Sequence, residues 1–197
     1  MVDIVMRAKN GNDMTEAAIA SIQRETKPEA YNLILVDDGS DLPQNAPCHY
    51  RIRLAESRGA VTATNMGLAI SLQLPGDYVM VMDNDTAIPE GDYTWLRRFV
   101  REIEASGPEC AAVGATSDNV NPPQQILYCP QAYTANWTNG EEQGFKENPD
   151  VPWFVSFCVL LRKSAIRKVG FWDERYNPGN FEDTDYSVKL RDAGYGI

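Results

Sequence analysis

Histidine is almost missing from this chain of 197 residues, with His49 the only one. Cysteine is sparse as well: Cys48, Cys110, Cys129 and Cys158 stand singly, with no Cys-x-x-Cys pair among them. Zinc sites draw on closely spaced Cys and His, so this composition excludes one. Scattered thiols also suit a reducing compartment, and we expect a cytoplasmic protein. Positive charge is short, with 18 Lys and Arg against 28 Asp and Glu and a formal net charge of -10. Nucleic-acid backbones require a basic footprint, so no nucleic acid is expected as a partner. A nucleotide held through a metal ion stays compatible with an acidic surface. Long apolar runs are lacking too. The longest covers residues 154–161 and is interrupted by Ser156, whereas a bilayer span takes about 20 residues. No integral membrane segment is therefore expected in this chain. The start is no signal peptide, because Asp3 falls inside the only apolar stretch there. Asn136-Trp137-Thr138 fits the glycosylation acceptor pattern, and without an export signal we expect it to be bare.

What the chain does have is a set of short apolar runs that end in acids. Residues 79–82, between Gly76-Asp77 and Pro89, read as a strand buried on both faces, and Asp83 and Asp85 sit just past its end. Residues 33–36 form a second such run, ending in Asp37-Asp38-Gly39-Ser40. Open parallel sheets bind ligands beyond the carboxyl ends of their strands. Two nearby carboxylates in that place repel unless a cation sits with them, and a hard divalent ion bridging to phosphate supplies the charge. The alternative for Asp83-Asn84-Asp85 alone is a solvated turn with two capping acids.

The remaining elements follow from periodicity. Strands are predicted over 2–6, 50–54, 111–115 and 153–161, and helices over 13–24, 60–72, 92–105, 163–169 and 183–193. Asp13 with Glu16 resembles a capping box. Ala60, Ala63, Gly67 and Ala69 would let their helix approach the sheet closely, and Trp95, Leu96, Phe99, Val100 and Ile103 at helical spacing read as core. Residues 116–152 show no sustained period, as functional or mobile segments do. Arg58, just before a helix start, is either a phosphate or base contact or a surface charge. Glu182, Asp183 and Asp185 fall in one first helical turn, where capping is the alternative to chemistry.

Five segments in order resemble the inverting family 2 glycosyltransferases of the GT-A fold: Val5 to Asn10, Val36-Asp37-Asp38-Gly39-Ser40, Asp83-Asn84-Asp85, Gly170-Phe171-Trp172-Asp173-Glu174, and Glu182-Asp183-Thr184-Asp185 with the run from Lys189 to Tyr195. The resemblance implies an α/β GT-A fold, a Rossmann-like mostly parallel sheet flanked by helices. It also implies a single domain whose residues 1–115 bind the nucleotide-sugar and whose residues 116–197 bind the acceptor. On the donor side it places Arg7 and Lys9 along the nucleotide base, Asp38 in a bond to the base and Asp83 facing the ribose and the metal; Arg58, from its place before a helix, is a further candidate donor contact. Asp85, with Asp83 beside it, would ligate Mn²⁺ or Mg²⁺ on the donor diphosphate. Asp183 would be the general base, supported by Glu182 and Asp185. The donor would be a UDP-sugar, with dTDP and GDP open, and the acceptor a saccharide, a lipid-linked molecule or a protein.

The departures are as specific as the matches. Thr64 stands before Asn65 where many relatives carry Arg, and Trp172 stands where Phe is commoner, a change we read as packing. Relatives often supply a metal-ligating His after the segment that ends near Tyr195. This chain ends at Ile197, and His49 is misplaced for that duty. Either the chain is a fragment, whose missing part could meet the membrane peripherally, or water and donor phosphates complete the metal shell. A nucleotide-sugar binding module of weak catalytic power is therefore a second reading. A nucleotidyltransferase is a third, disfavoured because residues 7–11 hold one glycine where a phosphate loop needs several.

Overall fold

The computed structural model describes residues 1–115 and 152–197. Three apolar runs build its centre: β1 (Val2–Ala8), β2 (Tyr31–Asp37) and β4 (Tyr78–Asp83). With β3 (Tyr50–Arg53), β5 (Ala112–Gly114) and β6 (Cys158–Arg162) they form one sheet in the order β3-β2-β1-β4-β6-β5. The pairs β1–β2, β1–β4 and β2–β3 are parallel, while β6 runs antiparallel to both β4 and β5. The sheet is the predicted mostly parallel one, closed at one side by an antiparallel pair.

The pleat sorts side chains by parity. Ile4, Met6, Leu33, Leu35, Met80 and Met82 join one core layer with α1 (Asn12–Glu25) and α3 (Trp95–Ala105). Val5, Ile34, Val36, Val79 and Val81 join the other, with α2 (Ala60–Ser71), α4 (Lys163–Val169) and α5 (Glu182–Asp192). Helix α2 comes close because Gly67 lies over β1: a Cβ there would stand 2.3 Å from Val5 Cγ1. Ala63 shares that buried face, but Ala69 points to solvent and has no part in the approach. Trp95, Leu96 and Ile103 are buried, as the helical spacing predicts.

Three local expectations are corrected. Strand β1 continues to Ala8, two residues past its predicted end, because β2 and β4 pair with it that far. No capping box forms at Asp13 and Glu16; Gly11, in the left-handed region at φ 59, is the N-cap of α1. Asn10 and Asn12 on either side of it are drawn instead to the 40–44 loop. Strand β6 starts at Cys158, not at 153, because the preceding residues bond to α5: Phe154 N–H donates to Ser187 Oγ at 3.2 Å. The predicted irregular stretch 116–152 lies outside the described residues except for its last position. No described helix is long and apolar enough to cross a membrane.

Candidate active site

From β1 the chain steps to β2 and β3 on one side and returns to β4 on the other. Such a reversal opens a crevice at the carboxyl ends of the strands. Arg7 and Asp83 sit there as register partners on adjacent strands. By parity both face the α2 side. Arg7 Nε donates to Asp83 Oδ1 at 2.8 Å, Nη1 donates to Thr64 Oγ1 at 2.9 Å, and Nη2 donates to Ser156 Oγ at 3.1 Å. The extra length of β1 thus takes Arg7 out of the predicted base-contacting loop and turns it inward. The next residues alternate in direction: Asn84 Nδ2 donates to Thr15 Oγ1 of α1 at 2.9 Å, while Asp85 is exposed. Lys9 is exposed at the loop after β1.

The acids after β2 are consumed by loop building. Asp37 accepts from the amides of Ser40 at 2.8 Å and Gln44 at 3.1 Å, with Arg53 Nη1 at 3.7 Å. Burial alone would raise the Asp37 carboxyl, but these donors outweigh it and hold it below the usual value. Asp38 accepts from Ser57 Oγ at 2.7 Å, Arg58 N at 2.7 Å and Gly59 N at 3.1 Å. It is 4 % exposed and anchors the turn into α2, while the Arg58 side chain faces solvent. Between the β1 and β2 loops lies an open cavity of about 480 Å³ lined by Asn10, Gly11, Asn12, Asp13, Met14, Asp41 and Leu42.

Helix α2 is capped from far along the chain. Its N-cap, Gly59 at φ 94, has no side chain, and a Cβ there would meet Asn177 Oδ1 at 2.3 Å. That oxygen accepts from Val61 N and Thr62 N at 3.1 and 3.3 Å and so does the capping. Asn65 exchanges bonds with the Trp172 backbone at 2.9 and 3.0 Å, clamping the 172–178 loop against α2. Trp172 packs as predicted, its ring 5.3 Å from that of Tyr186. Asn177 and Ser156 are site-building residues that no local pattern announces, whereas Thr64 and Asn65 stand at the motif position where the chain departs from its relatives.

Helix α5 brings the third group of acids to the crevice. Asp183 Oδ2 accepts from Ser156 N at 3.3 Å and its Oδ1 accepts from Thr184 N at 2.7 Å. Asp185 accepts from Tyr176 OH at 3.3 Å. Glu182 is 7 % exposed, and among the described residues its Oε2 has no hydrogen-bond partner. Burial first, then the charges of Asp85 and Asp183, push the Asp83 carboxyl up, with Arg7 opposing them. Burial and the Asp83 charge raise the Cys158 thiol to about 12, so it is inert as a nucleophile. Three acids against one guanidinium leave an excess of negative charge, and hard carboxylate oxygens suit Mn²⁺ or Mg²⁺. Among the described residues no three His, Cys, Asp or Glu side chains form a ligand cluster. Asp83 and Asp85 fit such an ion as a partial grip that phosphate oxygens and water would complete.

A switch-point crevice edged by carboxylates, over a mostly parallel sheet with an antiparallel pair at one side, is the arrangement of a GT-A fold. The chain belongs to glycosyl transferase family 2, whose sequence pattern matches residues 3–170. It is 25% identical over 201 residues to the pre-mycofactocin glycosyltransferase of Mycobacterium tuberculosis, covering 98% of this chain and 39% of the relative. It is also 25% identical over 206 residues to the poly-beta-1,6-N-acetyl-D-glucosamine synthase of Staphylococcus aureus, covering 100% of this chain and 47% of the relative. The chain thus spans less than half the length of these curated relatives. Among solved structures, a Pyrobaculum calidifontis mannosyltransferase in complex with GDP-Man and Mn2+ superposes with a TM-score of 0.67 at 17% identity, covering 99% of this chain and 53% of that one. S. aureus TarS 1-349 in complex with UDP gives 0.65 at 16% identity, covering 96% and 54%. At these identities the likeness is one of fold.

Proposed function

We propose that this chain carries the donor site and general base of an inverting glycosyltransferase that moves a sugar from a nucleoside-diphosphate sugar to an acceptor hydroxyl. The observation that carries it is the run of hydrogen bonds that joins Asp83 at the tip of β4, through Arg7 and Ser156, to Asp183 on α5. Donor-side and acceptor-side carboxylates share one crevice, as a single displacement requires.

An alcohol is a weak nucleophile at neutral pH, so Asp183 takes its proton as the new C–O bond forms. The bond from the anomeric carbon to the diphosphate breaks on the opposite face, which inverts that carbon. Asp83 and Asp85 would hold Mn²⁺ or Mg²⁺, which when bound offsets the charge growing on the leaving diphosphate. Glu182 and Asp185, flanking the base, would orient the acceptor. Lys9 and Arg58, both exposed, would meet the donor, and the open cavity of about 480 Å³ beside the β1 loop would take its base. A UDP-sugar is the favoured donor, with a GDP-sugar next, because related folds carry UDP or GDP-Man.

Calorimetry with UDP and with GDP, with and without Mn²⁺, tests the donor side. Binding should require the ion, and Asp85→Ala should abolish that requirement together with the binding. Nucleotide binding that survives Asp85→Ala unchanged removes the metal assignment. Absence of both transfer and donor hydrolysis from a chain that binds nucleotide reduces the protein to a binding module.

A further inference from the structure

We propose that Arg7 is a positioning residue that fixes the donor-side and acceptor-side carboxylates relative to one another, not a nucleotide contact. The proposal rests on the transferase reading above and adds to it the part that holds the two rims together.

The guanidinium is a rigid planar fork, and here each arm ends on a different element. Nε and Nη2 lie 2.8 and 2.7 Å from Asp83 Oδ1 at the tip of β4. Nη1 reaches Thr64 on α2, and Nη2 also reaches Ser156 in the segment before β6. Ser156 is 3 % exposed and passes the link on, its own amide donating to Asp183. A continuous set of bonds therefore runs from Asp83 through Arg7 and Ser156 to Asp183. The Arg7 side chain is only 12% exposed. Its nitrogens are directed into the protein, so little of it is left to meet a base.

A fork does what a point charge cannot. Lysine at position 7 would keep the charge beside Asp83 but could not hold Thr64 and Ser156 at the same time. Misplacement of reacting groups by about 1 Å costs on the order of 10²-fold in rate. The positioning role therefore predicts a loss in kcat with donor affinity retained.

The test compares Arg7→Ala, Arg7→Lys and Ser156→Ala in steady-state transfer, nucleotide calorimetry and amide hydrogen exchange. Both Arg7 variants should lose about 10²-fold in kcat, with donor KM and nucleotide Kd changed by less than about threefold. Ser156→Ala, which keeps the Arg7–Asp83 pair and is conservative enough to fold, should lose kcat by about tenfold in the same pattern. Exchange should quicken at residues 154–157 and 182–185 in Arg7→Ala and in Ser156→Ala. Near-native kcat in Arg7→Lys overturns the proposal, because charge alone would then suffice. So does a loss confined to KM and nucleotide affinity, which would make Arg7 a donor contact. Unchanged exchange in both alanine variants also overturns it. If the unsubstituted chain transfers no sugar, it is the transferase reading that fails, and the exchange measurement alone decides the role of Arg7.

Discussion

Strand β1 carries an ion pair at each end, and the two are built for opposite purposes. At its start, Asp3 and Lys163 meet at 2.6 Å with both side chains fully buried. Asp3 also accepts from Asn32 at 2.8 Å and Ser71 at 2.7 Å, and Lys163 also donates to the carbonyls of Ser71 at 2.7 Å and Leu74 at 3.1 Å. Charge is balanced there and the polar atoms have partners. Four residues on, about 13 Å along the strand at 3.3 Å per residue, Arg7 and Asp83 meet at 2.7 Å with side chains 12% and 31% exposed. Asp85 and Asp183 crowd that second pair with further negative charge. A balanced buried pair has nothing to offer a ligand, whereas an unbalanced, half-open one is completed by a cation or a substrate. The carboxyl ends of parallel strands are where open α/β sheets keep their ligands.

Breaking the open end should cost chemistry and leave the fold alone. Asp183→Asn should lower transfer by about 10² to 10⁴, the range for a lost general base. Nucleotide affinity and the urea midpoint should stay near those of the unsubstituted chain. Near-native transfer would move the base, with Glu182 and Asp185 the first places to look. Breaking the closed end should do the reverse. Asp3→Ala strands a buried ammonium and should cost about 3–5 kcal/mol of unfolding free energy. Asp3→Leu combined with Lys163→Met should recover most of that loss, since an apolar pair replaces a buried ion pair at little cost. Urea unfolding of the single and double variants checks both statements. A stable Asp3→Ala chain that transfers poorly would erase the contrast between the ends.

Much of this was legible because it is local. The apolar runs gave the strands of the centre, residues 163–169 gave α4 to the residue, and two of the three acidic motifs gave the carboxylates that meet over the crevice. Asp38 shows where locality stops. Its place beyond β2 was readable, but its engagement with Ser57, Arg58 and Gly59 depends on a turn 19 to 21 residues away. Arg7 shows it more sharply. Its partners Thr64 and Ser156 are 57 and 149 residues distant. The apolar run ends at Met6, so composition stops β1 there, and only pairing with β2 and β4 carries it on to Ala8. One more pleat then decides that the arginine faces α2. Asn177, which caps α2 from 115 or 116 residues away, sits in a loop whose sequence reads simply as a turn.

The smallest effect expected is a difference in pH slope between two acids at the tips of the strands on either side of β1. Asp37 is held below its ordinary value of 3.8 because donated bonds outweigh its burial, so its folded pKa lies under its unfolded one. Its contribution to stability is present above pH 3.8 and is lost as pH falls through the folded value. Asp83 is raised above 3.8 by burial and by its acidic neighbours. Its contribution is fully present below 3.8 and is lost as pH rises through its folded value. Unfolding in urea with EDTA, from about pH 3 to pH 7, separates the two by linkage. Asp37→Asn should flatten the acid limb of the profile, and Asp83→Asn should remove part of the decline on the rising side. Identical slopes in the two variants would mean that Asp83 is as well satisfied as Asp37. The charge excess that sets the open end of β1 apart from the closed one would then be absent.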